Sequence, residues 1–159
     1  MLEPDIVEIR PATLADIPMI LRHRRGMYED MGETDSAALA GMMETSRPYL
    51  ESALSSGSCR GWLAETDGHV VGGGLVLISP WLSHPYDQQC KKASILNVYV
   101  DPAYRRRGIA RQLMLTMIEW CRQGGFVHVD LHASRSGRPL YEALGFQPTT
   151  EMRLRLRDG

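Results

Sequence analysis

The chain has few cysteines, and their arrangement suggests neither a disulfide framework nor a metal site. Its three cysteines, Cys59, Cys90 and Cys121, are an odd number and lie far apart in the sequence. Disulfide scaffolds use paired cysteines, and structural zinc sites use closely spaced ligands. We therefore expect reduced thiols, as in a cytoplasmic protein, and no bound metal.

The sequence also lacks an excess of charge of one sign. Its formal net charge is −1 at pH 7. Nucleic acids and anionic membranes recruit proteins through a concentrated positive field, so this balance argues against both as partners. No apolar run approaches the ~20 residues that span a bilayer. Acidic Glu3, Asp5 and Glu8 occupy the place where a signal peptide needs a basic start. These features predict a cytoplasmic protein.

No internal repeat, low-complexity tract or Gly/Ser/Pro-rich linker interrupts the chain, and 159 residues is close to the usual size of one domain. We expect a single domain over residues 1–159. Hydrophobic periodicity and turn residues predict strands at 6–10, 61–65, 69–78, 95–100, 126–133 and 152–156. They also predict a helix after Thr13 with the basic cluster Arg22–Arg25 in its last turn, and helices at 36–54, 108–123 and 139–144. The order β-α-α-β-β-β-α-β-α-β predicts a mixed α/β fold with a parallel crossover around the helix at 108–123.

Three consecutive glycines, Gly72 to Gly74, lie inside one predicted strand. They lack the spacing and the following helix of a dinucleotide-binding site. We interpret them as a bulge or a place of close packing.

The segment Val98–Leu113 carries the most chemical information. A strand ends at Val100, Pro102 breaks it, and Arg105, Arg106, Arg107 and Gly108 lead into a helix. The start of a helix presents free backbone N–H groups and the positive end of the dipole, which suit a pyrophosphate. Gly108 permits close approach of the backbone, and arginines add charge-assisted hydrogen bonds. The residues alone indicate a phosphate-binding turn, and the alternative is a plain strand-turn-helix with a solvated run of arginines.

This segment resembles the signature V-x-P-x-x-[RQ]-x-x-G-x-[GA] of the GNAT family of N-acetyltransferases. The signature is met by Val100, Pro102, Arg105, Gly108 and Ala110. The opening Glu8–Asp16 and the ending Leu140–Phe146, with its Leu-Gly-Phe turn, are similar to the same family. Three matches in the correct order make the resemblance specific and extend it over most of the chain.

The resemblance implies a GNAT-like acyl-CoA N-acyltransferase fold with splayed central strands and acetyl-CoA as the acyl-donor cosubstrate. Acetyl-CoA would lie in a V-shaped opening between the strands at 95–100 and 126–133. Strand residues Val98, Tyr99 and Val100 would contact the pantetheine arm. The pyrophosphate would be held by the turn and first helical residues, namely Arg105, Arg106, Arg107, Gly108, Ile109, Ala110 and Arg111.

The same resemblance implies direct transfer of the acetyl group to a primary amine in a ternary complex, with Tyr141 as general acid. A phenol with an ordinary pKa near 10 keeps its proton at pH 7 and can protonate a departing thiolate. The strand at 95–100 has no carboxylate, and Asn97 cannot act as a base. Asp130 and His132 share one face of the strand at 126–133, and either is a candidate general base. Loss of the proton from the amine to bulk water before binding is a third route.

The chain departs from the family pattern upstream of Tyr141, where many members carry an asparagine that contacts pantetheine. Ser134 could replace part of that hydrogen bonding, and Arg138 could reach a CoA phosphate. Both assignments are open.

The acceptor is a small-molecule amine or a peptide or protein amine, and the sequence does not choose between them. Four carboxylates, Glu29, Asp30, Glu33 and Asp35, would attract a cationic amine or would merely cap helices. A non-catalytic acyl-CoA-binding sensor or subunit is the alternative function. A homodimer is possible but no sequence feature establishes it.

Overall fold

The computed structural model describes residues 6–158, so the acidic residues Glu3 and Asp5 lie outside the described part. Nine helices and strands and two 3₁₀ turns, Leu14–Asp16 and Pro102–Tyr104, follow one another along the described chain. The strands are β1 (Glu8–Pro11), β2 (Cys59–Thr66), β3 (His69–Pro80), β4 (Lys91–Val100) and β5 (Val129–Leu131). The helices are α1 (Ile17–Asp30), α2 (Ser36–Ser56), α3 (Ile109–Gln123) and α4 (Arg138–Ala143). None of the described helices is long and apolar enough to cross a membrane.

The five strands form one sheet in chain order. β1 to β4 pair with one another in antiparallel orientation, and β5 joins β4 in parallel. The connection between these two parallel strands runs through α3, as a parallel pair requires. The predicted mixed α/β class is therefore confirmed.

Local hydrogen bonds explain where the first two helices begin. The Thr13 backbone N–H donates to the Asp16 carboxylate over 2.7 Å, which fixes the 3₁₀ turn before α1. Arg10 in turn donates to Asp16 over 2.9 Å and to Glu65 over 2.7 Å. At the start of α2, the Asp35 carboxylate accepts from the Ala38 N–H over 3.0 Å.

Two apolar clusters cover the two faces of the sheet. On one face, α3 buries Leu113, Met114 and Met117, each 0% exposed, against sheet residues such as Val76. The cluster on the opposite face joins α1 and α2 to β3, and its buried side chains include Ile20, Leu21, Leu50 and Leu75. α1 and α3 each have one apolar stripe because their hydrophobic residues recur every three or four positions.

The glycines of β3 allow close packing, as predicted. A Cβ atom on Gly72 would lie 2.7 Å from the Tyr99 carbonyl oxygen, and one on Gly74 would lie 2.7 Å from Met117 Cε. The register between β3 and β4 also shifts between Gly73 and Leu75. Close packing and a bulge therefore both occur at these glycines.

Three sequence-based predictions about the elements are wrong. α1 continues to Asp30, so the basic cluster Arg22–Arg25 lies inside the helix and not in its last turn. The predicted strand at 152–156 is absent from the described residues 151–158. Its alternating residues favour a strand, but a strand also needs a hydrogen-bonded neighbour, and residues 6–158 provide none for this segment. The strand predicted at 126–133 shortens to Val129–Leu131.

Candidate active site

The sheet opens between β4 and β5. The two strands pair only at Ala93–Ile95 and Val129–Leu131. From Leu96 to Val100, β4 continues without a described strand on that side. The backbone of Val98, Tyr99 and Val100 therefore borders an opening whose other side begins where β5 ends. Backbone N–H and C=O groups on such an edge need partners, and a ligand that carries amides can supply them.

A bulge in β4 accompanies this opening. Tyr99 pairs with Gly73 and Leu96 with Leu75, so two β4 residues, Asn97 and Val98, face the single residue Gly74. Asn97 takes a left-handed backbone conformation with φ +60°. Bulges re-aim a strand and commonly lie beside functional sites.

The Asn97 side chain ties this bulge to α1. It is 3% exposed, and its amide nitrogen donates to the Ile20 carbonyl over 3.2 Å. Its amide oxygen accepts a bond from Arg24 Nη1 over 3.4 Å. Sequence reasoning considered Asn97 only as a base and missed this positioning role. An asparagine within an apolar strand was the available signal, because asparagine tolerates the left-handed region better than most residues.

The turn before α3, Arg105–Gly108, follows the C-terminal end of β4, and we call it the arginine turn. Arg106 and Gly108 have φ values of +66° and +81°. A Cβ atom on Gly108 would meet no atom within 4 Å, so the space beside this backbone is open. α3 begins at Ile109, and its first N–H groups have no acceptor within the helix. Ile109 is 2% exposed and anchors the helix start in the core, so only its backbone is available to a ligand.

The arginine side chains of the turn make different contacts. Arg105 donates from Nε to the Val100 carbonyl over 2.8 Å and from Nη2 to Asp30 over 2.6 Å. Its guanidinium carbon also lies 5.4 Å from the centre of the Tyr99 ring. Arg105 thus braces β4 against α1. The guanidinium of Arg107 lies 5.2 Å from the Tyr104 ring, whereas Arg106 and Arg111 are exposed at the surface.

Tyr141 lies on α4 with a half-buried ring and a hydroxyl that has no hydrogen-bond partner among the described residues. Its ring packs edge-on against Phe146, with 6.0 Å between the ring centres. Burial raises the pKa of the Tyr141 phenol above its ordinary value. The hydroxyl therefore keeps its proton and is available as a donor.

The two candidate bases have different surroundings. Asp130 accepts a hydrogen bond from Ser94 Oγ over 2.5 Å, and Lys92 Nζ lies 3.9 Å from its other oxygen. His132 follows the end of β5, is exposed, and makes no hydrogen bond within the described part of the chain. Asp130 is thus already partnered, whereas His132 makes no hydrogen bond within residues 6–158 that a substrate would have to displace.

The two side chains upstream of Tyr141 have local partners. Ser134 Oγ accepts from the Gly137 N–H over 3.1 Å at the start of α4. Arg138 Nε donates to Glu142 over 2.6 Å, one helical turn further on. A contact with CoA would require each side chain to share or exchange this partner.

A pocket of about 250 Å³ lies between α1 and the end of β4. Its charged lining is paired: Arg22 with Asp101 at 3.3 Å, Arg25 with Glu29 at 3.0 Å, and Arg105 with Asp30 at 2.6 Å. Of the four carboxylates predicted to attract a cation, Glu29 and Asp30 line this pocket. The other two, Glu33 and Asp35, accept backbone hydrogen bonds around the start of α2.

His23 is a buried residue near the pocket that the sequence did not single out. It is 1% exposed, its ring stacks on Tyr99 at 5.2 Å, and its Nε2 atom has no hydrogen-bond partner. Burial lowers its pKa to about 4, so the ring is neutral at pH 7. No feature of the basic run Arg22–Arg25 distinguishes this histidine from an exposed one.

Two of the three cysteines, Cys59 and Cys121, are buried. Burial raises the pKa of Cys59 and of Cys121 to about 11, so both are thiols at neutral pH. Cys90 is exposed and lies in the loop before β4. Among the described residues, no group of three or more histidine, cysteine, aspartate or glutamate side chains could hold a metal ion.

The open β4 edge lies beside the arginine turn and the start of α3, and comparison with known proteins identifies the family in which this arrangement occurs. The profile of the Acetyltransferase (GNAT) family matches residues 24–146, which is most of the chain. The chain belongs to the GNAT family of acetyltransferases.

Individual relatives are consistent with this family. Human N-acetyltransferase 8 is 31% identical over 120 residues, which cover 72% of this chain and 48% of the human protein. The chain thus spans about half the length of that relative. A solved GCN5-related N-acetyltransferase from Ralstonia eutropha JMP134 is 36% identical, with a TM-score of 0.88 over 95% of this chain and 99% of that one.

A protein from Clostridium acetobutylicum, described as a predicted acetyltransferase and solved with acetyl-CoA, has the same fold. It is 23% identical, with a TM-score of 0.86 over 95% of this chain and 97% of its own.

Proposed function

We propose that this protein is an acetyl-CoA-dependent N-acetyltransferase that transfers the acetyl group to a primary amine by direct attack in a ternary complex. The observation that carries the proposal is the open edge of β4 from Leu96 to Val100, which leads directly to the arginine turn and the start of α3. A solved relative of the same fold holds acetyl-CoA.

The described residues fit acetyl-CoA in two respects. The open β4 edge would offer backbone groups of Val98 and Val100 to the amides of the pantetheine arm, and the Val100 carbonyl also accepts from Arg105. The N–H groups from Arg106 to Arg111 would hold the pyrophosphate at the start of α3, and the unfilled space beside Gly108 lets phosphate oxygens approach. Arg106, Arg107 and Arg111 supply positive charge there, whereas Arg105 holds the turn in place through Asp30 and Val100.

Tyr141 is the proposed general acid. The neutral amine nitrogen attacks the thioester carbonyl, the carbon–sulfur bond breaks, and the Tyr141 hydroxyl donates its proton to the departing thiolate. The raised pKa of the phenol and its unpartnered hydroxyl support this role. The two buried thiols have raised pKa values, which favours direct transfer over an acetyl-cysteine intermediate.

The proton that the ammonium form must lose before attack has two candidate acceptors in the chain. His132 is exposed and without a hydrogen bond in the described structure, so we propose it ahead of Asp130, which Ser94 and Lys92 already engage.

The pocket between α1 and β4 is a candidate site for part of the acceptor. Because its carboxylates are paired with arginines, it suits an acceptor that carries both charges better than a simple polycation.

A thermal-shift titration with acetyl-CoA tests the proposal, with ADP and NAD as ligand controls. At 100 times Kd, acetyl-CoA should add roughly 2.7 kcal/mol of stability, which raises Tm by about 5–10 °C for a chain of this size. Gly108→Val should abolish most of this shift, because a β-branched residue disfavours φ +81° and its side chain fills the open space.

Gly57→Val is the matched control for the backbone strain. Gly57 has the same φ of +81° and the same open surroundings, but it ends α2, far along the chain from the arginine turn. It should lower Tm without changing the acetyl-CoA shift. No shift in the wild-type protein would refute the acetyl-CoA assignment. A shift without release of thiol from any amine in a panel would instead support the non-catalytic sensor.

A further inference from the structure

Arg24 on α1 is a half-buried cation without an ionic partner. Of the arginines in residues 6–158, only Arg10, Arg24 and Arg25 are half-buried. Arg10 pairs with Asp16 at 2.9 Å, and Arg25 pairs with Glu29 at 3.0 Å. Arg24 has no carboxylate partner within the same residues. A charge that is partly withdrawn from water is unfavourable unless it is paired, so this guanidinium indicates a place for an anionic group.

The contacts of Arg24 orient its guanidinium and leave most of its N–H donors unused. Its Nη1 atom donates to the Asn97 amide oxygen over 3.4 Å, and its guanidinium carbon lies 5.3 Å from the centre of the Tyr28 ring. The donors of a guanidinium form a planar fork that matches the two oxygens of a carboxylate or a phosphate. An anion could therefore bind without displacing another anion.

The position of Arg24 relates it to the reacting group of the proposed cosubstrate, and the inference rests on that proposed function. With the pyrophosphate at the arginine turn, the pantetheine arm would run back along β4 from Val100 to Val98. The opening closes at Ile95, where β4 pairs with β5. The thioester would therefore lie beside Asn97, the residue that Arg24 contacts.

Arg24 and the general acid lie on opposite faces of the sheet. Tyr141 packs against the α3 cluster, so it would reach the sulfur from the α3 face. Asp130 lies on the α1 face, because it contacts Ser94, which alternates with Ala93 of the α3 cluster. An acceptor on the α1 face would thus lie between the Arg24 cation and the candidate bases at the end of β5.

We propose that Arg24 binds an anionic group of the acceptor, so that the substrate is an amine that also carries a carboxylate or a phosphate, as an amino acid does. The amino group would face Asp130 and His132, and the anionic group would face α1. Lys92, another cation on this face, already lies 3.9 Å from Asp130. Opposite charges on the two sides orient an acceptor of this kind, whereas a polyamine would place a positive charge against Arg24.

The test compares paired amines that differ in the anionic group, in an assay of released thiol. Amino acids and the amines formed by their decarboxylation vary the carboxylate, and phosphoethanolamine with ethanolamine varies the phosphate. We expect a kcat/KM about 10–100-fold higher for the anionic member of at least one kind of pair, the usual contribution of a hydrogen bond to a charged group. Equal or better use of the other member in both kinds would overturn this inference. Absence of thiol release from every amine would instead contradict the proposed function.

Two variants of Arg24 separate anion binding from support of the bulge. Arg24→Gln removes the charge but keeps a donor for Asn97, and it should remove the preference for the anionic acceptor, mainly by raising its KM about 10–100-fold. The kcat/KM of the paired amine without the anionic group should stay within about twofold, as should the Kd for acetyl-CoA. Arg24→Lys restores the charge without the planar fork and should recover part of the preference.

Arg60→Gln is the matched control, because Arg60 is an exposed arginine on β2, and it should leave every one of these values unchanged. If Arg24 only supports the bulge through Asn97, Arg24→Gln would lower kcat/KM equally for both members of a pair and would weaken acetyl-CoA binding. That result would overturn the inference while the acetyltransferase activity itself remained.

Discussion

At the scale of the residue, Tyr141 has the properties of an acid that protonates a thiolate. Its hydroxyl has no hydrogen-bond partner among the described residues, and burial raises its pKa. We expect Tyr141→Phe to lower kcat by about 10²–10⁴-fold, the usual contribution of a general acid, while the Kd for acetyl-CoA stays within about twofold. Steady-state thiol release and calorimetry measure the two quantities. Tyr86→Phe, at an 88% exposed position, is the control. An unchanged kcat under chemistry-limited conditions would remove Tyr141 from the mechanism.

His23 makes stability depend on pH in a defined direction. Burial lowers its pKa from 6.5 to about 4, an effect that Asp101 opposes and Arg22 reinforces. Between these two values the unfolded chain binds a proton that the folded chain does not, so the free energy of unfolding falls as the pH drops through this range. By pH 4 this single histidine lowers the free energy of unfolding by about 3 kcal/mol.

Urea denaturation at pH 7.5 and pH 4.5 measures the loss. His23→Phe, which keeps a ring against Tyr99, should reduce the difference between the two pH values by about 2–3 kcal/mol relative to the wild type. His69→Phe, at an exposed position on β3, should leave it unchanged. Equal pH dependence in the wild type and in His23→Phe would show that the folded chain accepts the proton.

Residue by residue, the sequence predicted backbone conformation better than side-chain partners. The proline, arginine and glycine spacing identified the turn before α3, because proline and glycine restrict or permit particular backbone conformations locally. The partner of Arg105 was not predictable, since Asp30 is 75 positions away in the chain. The same holds for His23 and Asn97, whose burial depends on how α1 lies on the sheet.

At the scale of the element, the bulge in β4 lies beside the opening between β4 and β5, which is the proposed site of acetyl-CoA. Asn97 has a φ of +60° at the bulge, where Asn97 and Val98 of β4 lie opposite the single residue Gly74 of β3. Its side chain donates to the Ile20 carbonyl and so connects the bulge to α1. Asn97→Val should disfavour this conformation by about 1–3 kcal/mol, because a β-branched residue is a poor fit to the left-handed region. We expect its acetyl-CoA affinity to fall by about tenfold.

Asn97→Gly provides the comparison. Glycine takes the left-handed conformation freely but cannot bond to Ile20, so Tm should fall while the acetyl-CoA affinity stays within about threefold. Calorimetry measures the acetyl-CoA affinity of each variant, and a thermal melt measures its Tm. Equal affinity losses in the valine and glycine variants would show that the side chain, and not the bulge, matters for binding.

The elements that the sequence predicted well carry their own local signals. α3 has strong apolar periodicity and a glycine at each end, and the β2–β3 hairpin has Asp67-Gly68 at its turn. The sequence wrongly predicted a longer β5 and a further strand at residues 152–156. Strand length depends on the neighbour with which a strand pairs, and this information is not local.

At the scale of the whole molecule, the two apolar clusters share one sheet. The cluster under α3 includes Val76 of β3, whereas the cluster under α1 and α2 includes Leu75, the preceding residue. Because adjacent strand residues point to opposite faces, β3 contributes side chains to both clusters. We therefore expect the described helices and strands to unfold in one cooperative transition, as the prediction of a single domain requires.

Leu21→Ala tests this coupling, because Leu21 lies in the α1 cluster and is 0% exposed, so its loss should cost about 2–5 kcal/mol. Tryptophan fluorescence reports the other cluster, where Trp62 packs against Trp120 with 5.7 Å between ring centres. Circular dichroism at 222 nm reports all four helices. In a single cooperative unit, both probes should shift to the same lower urea midpoint in the variant. If circular dichroism changed first while the fluorescence kept its wild-type midpoint, α1 and α2 would form a separate unit, and the sheet would not transmit stability between its two faces.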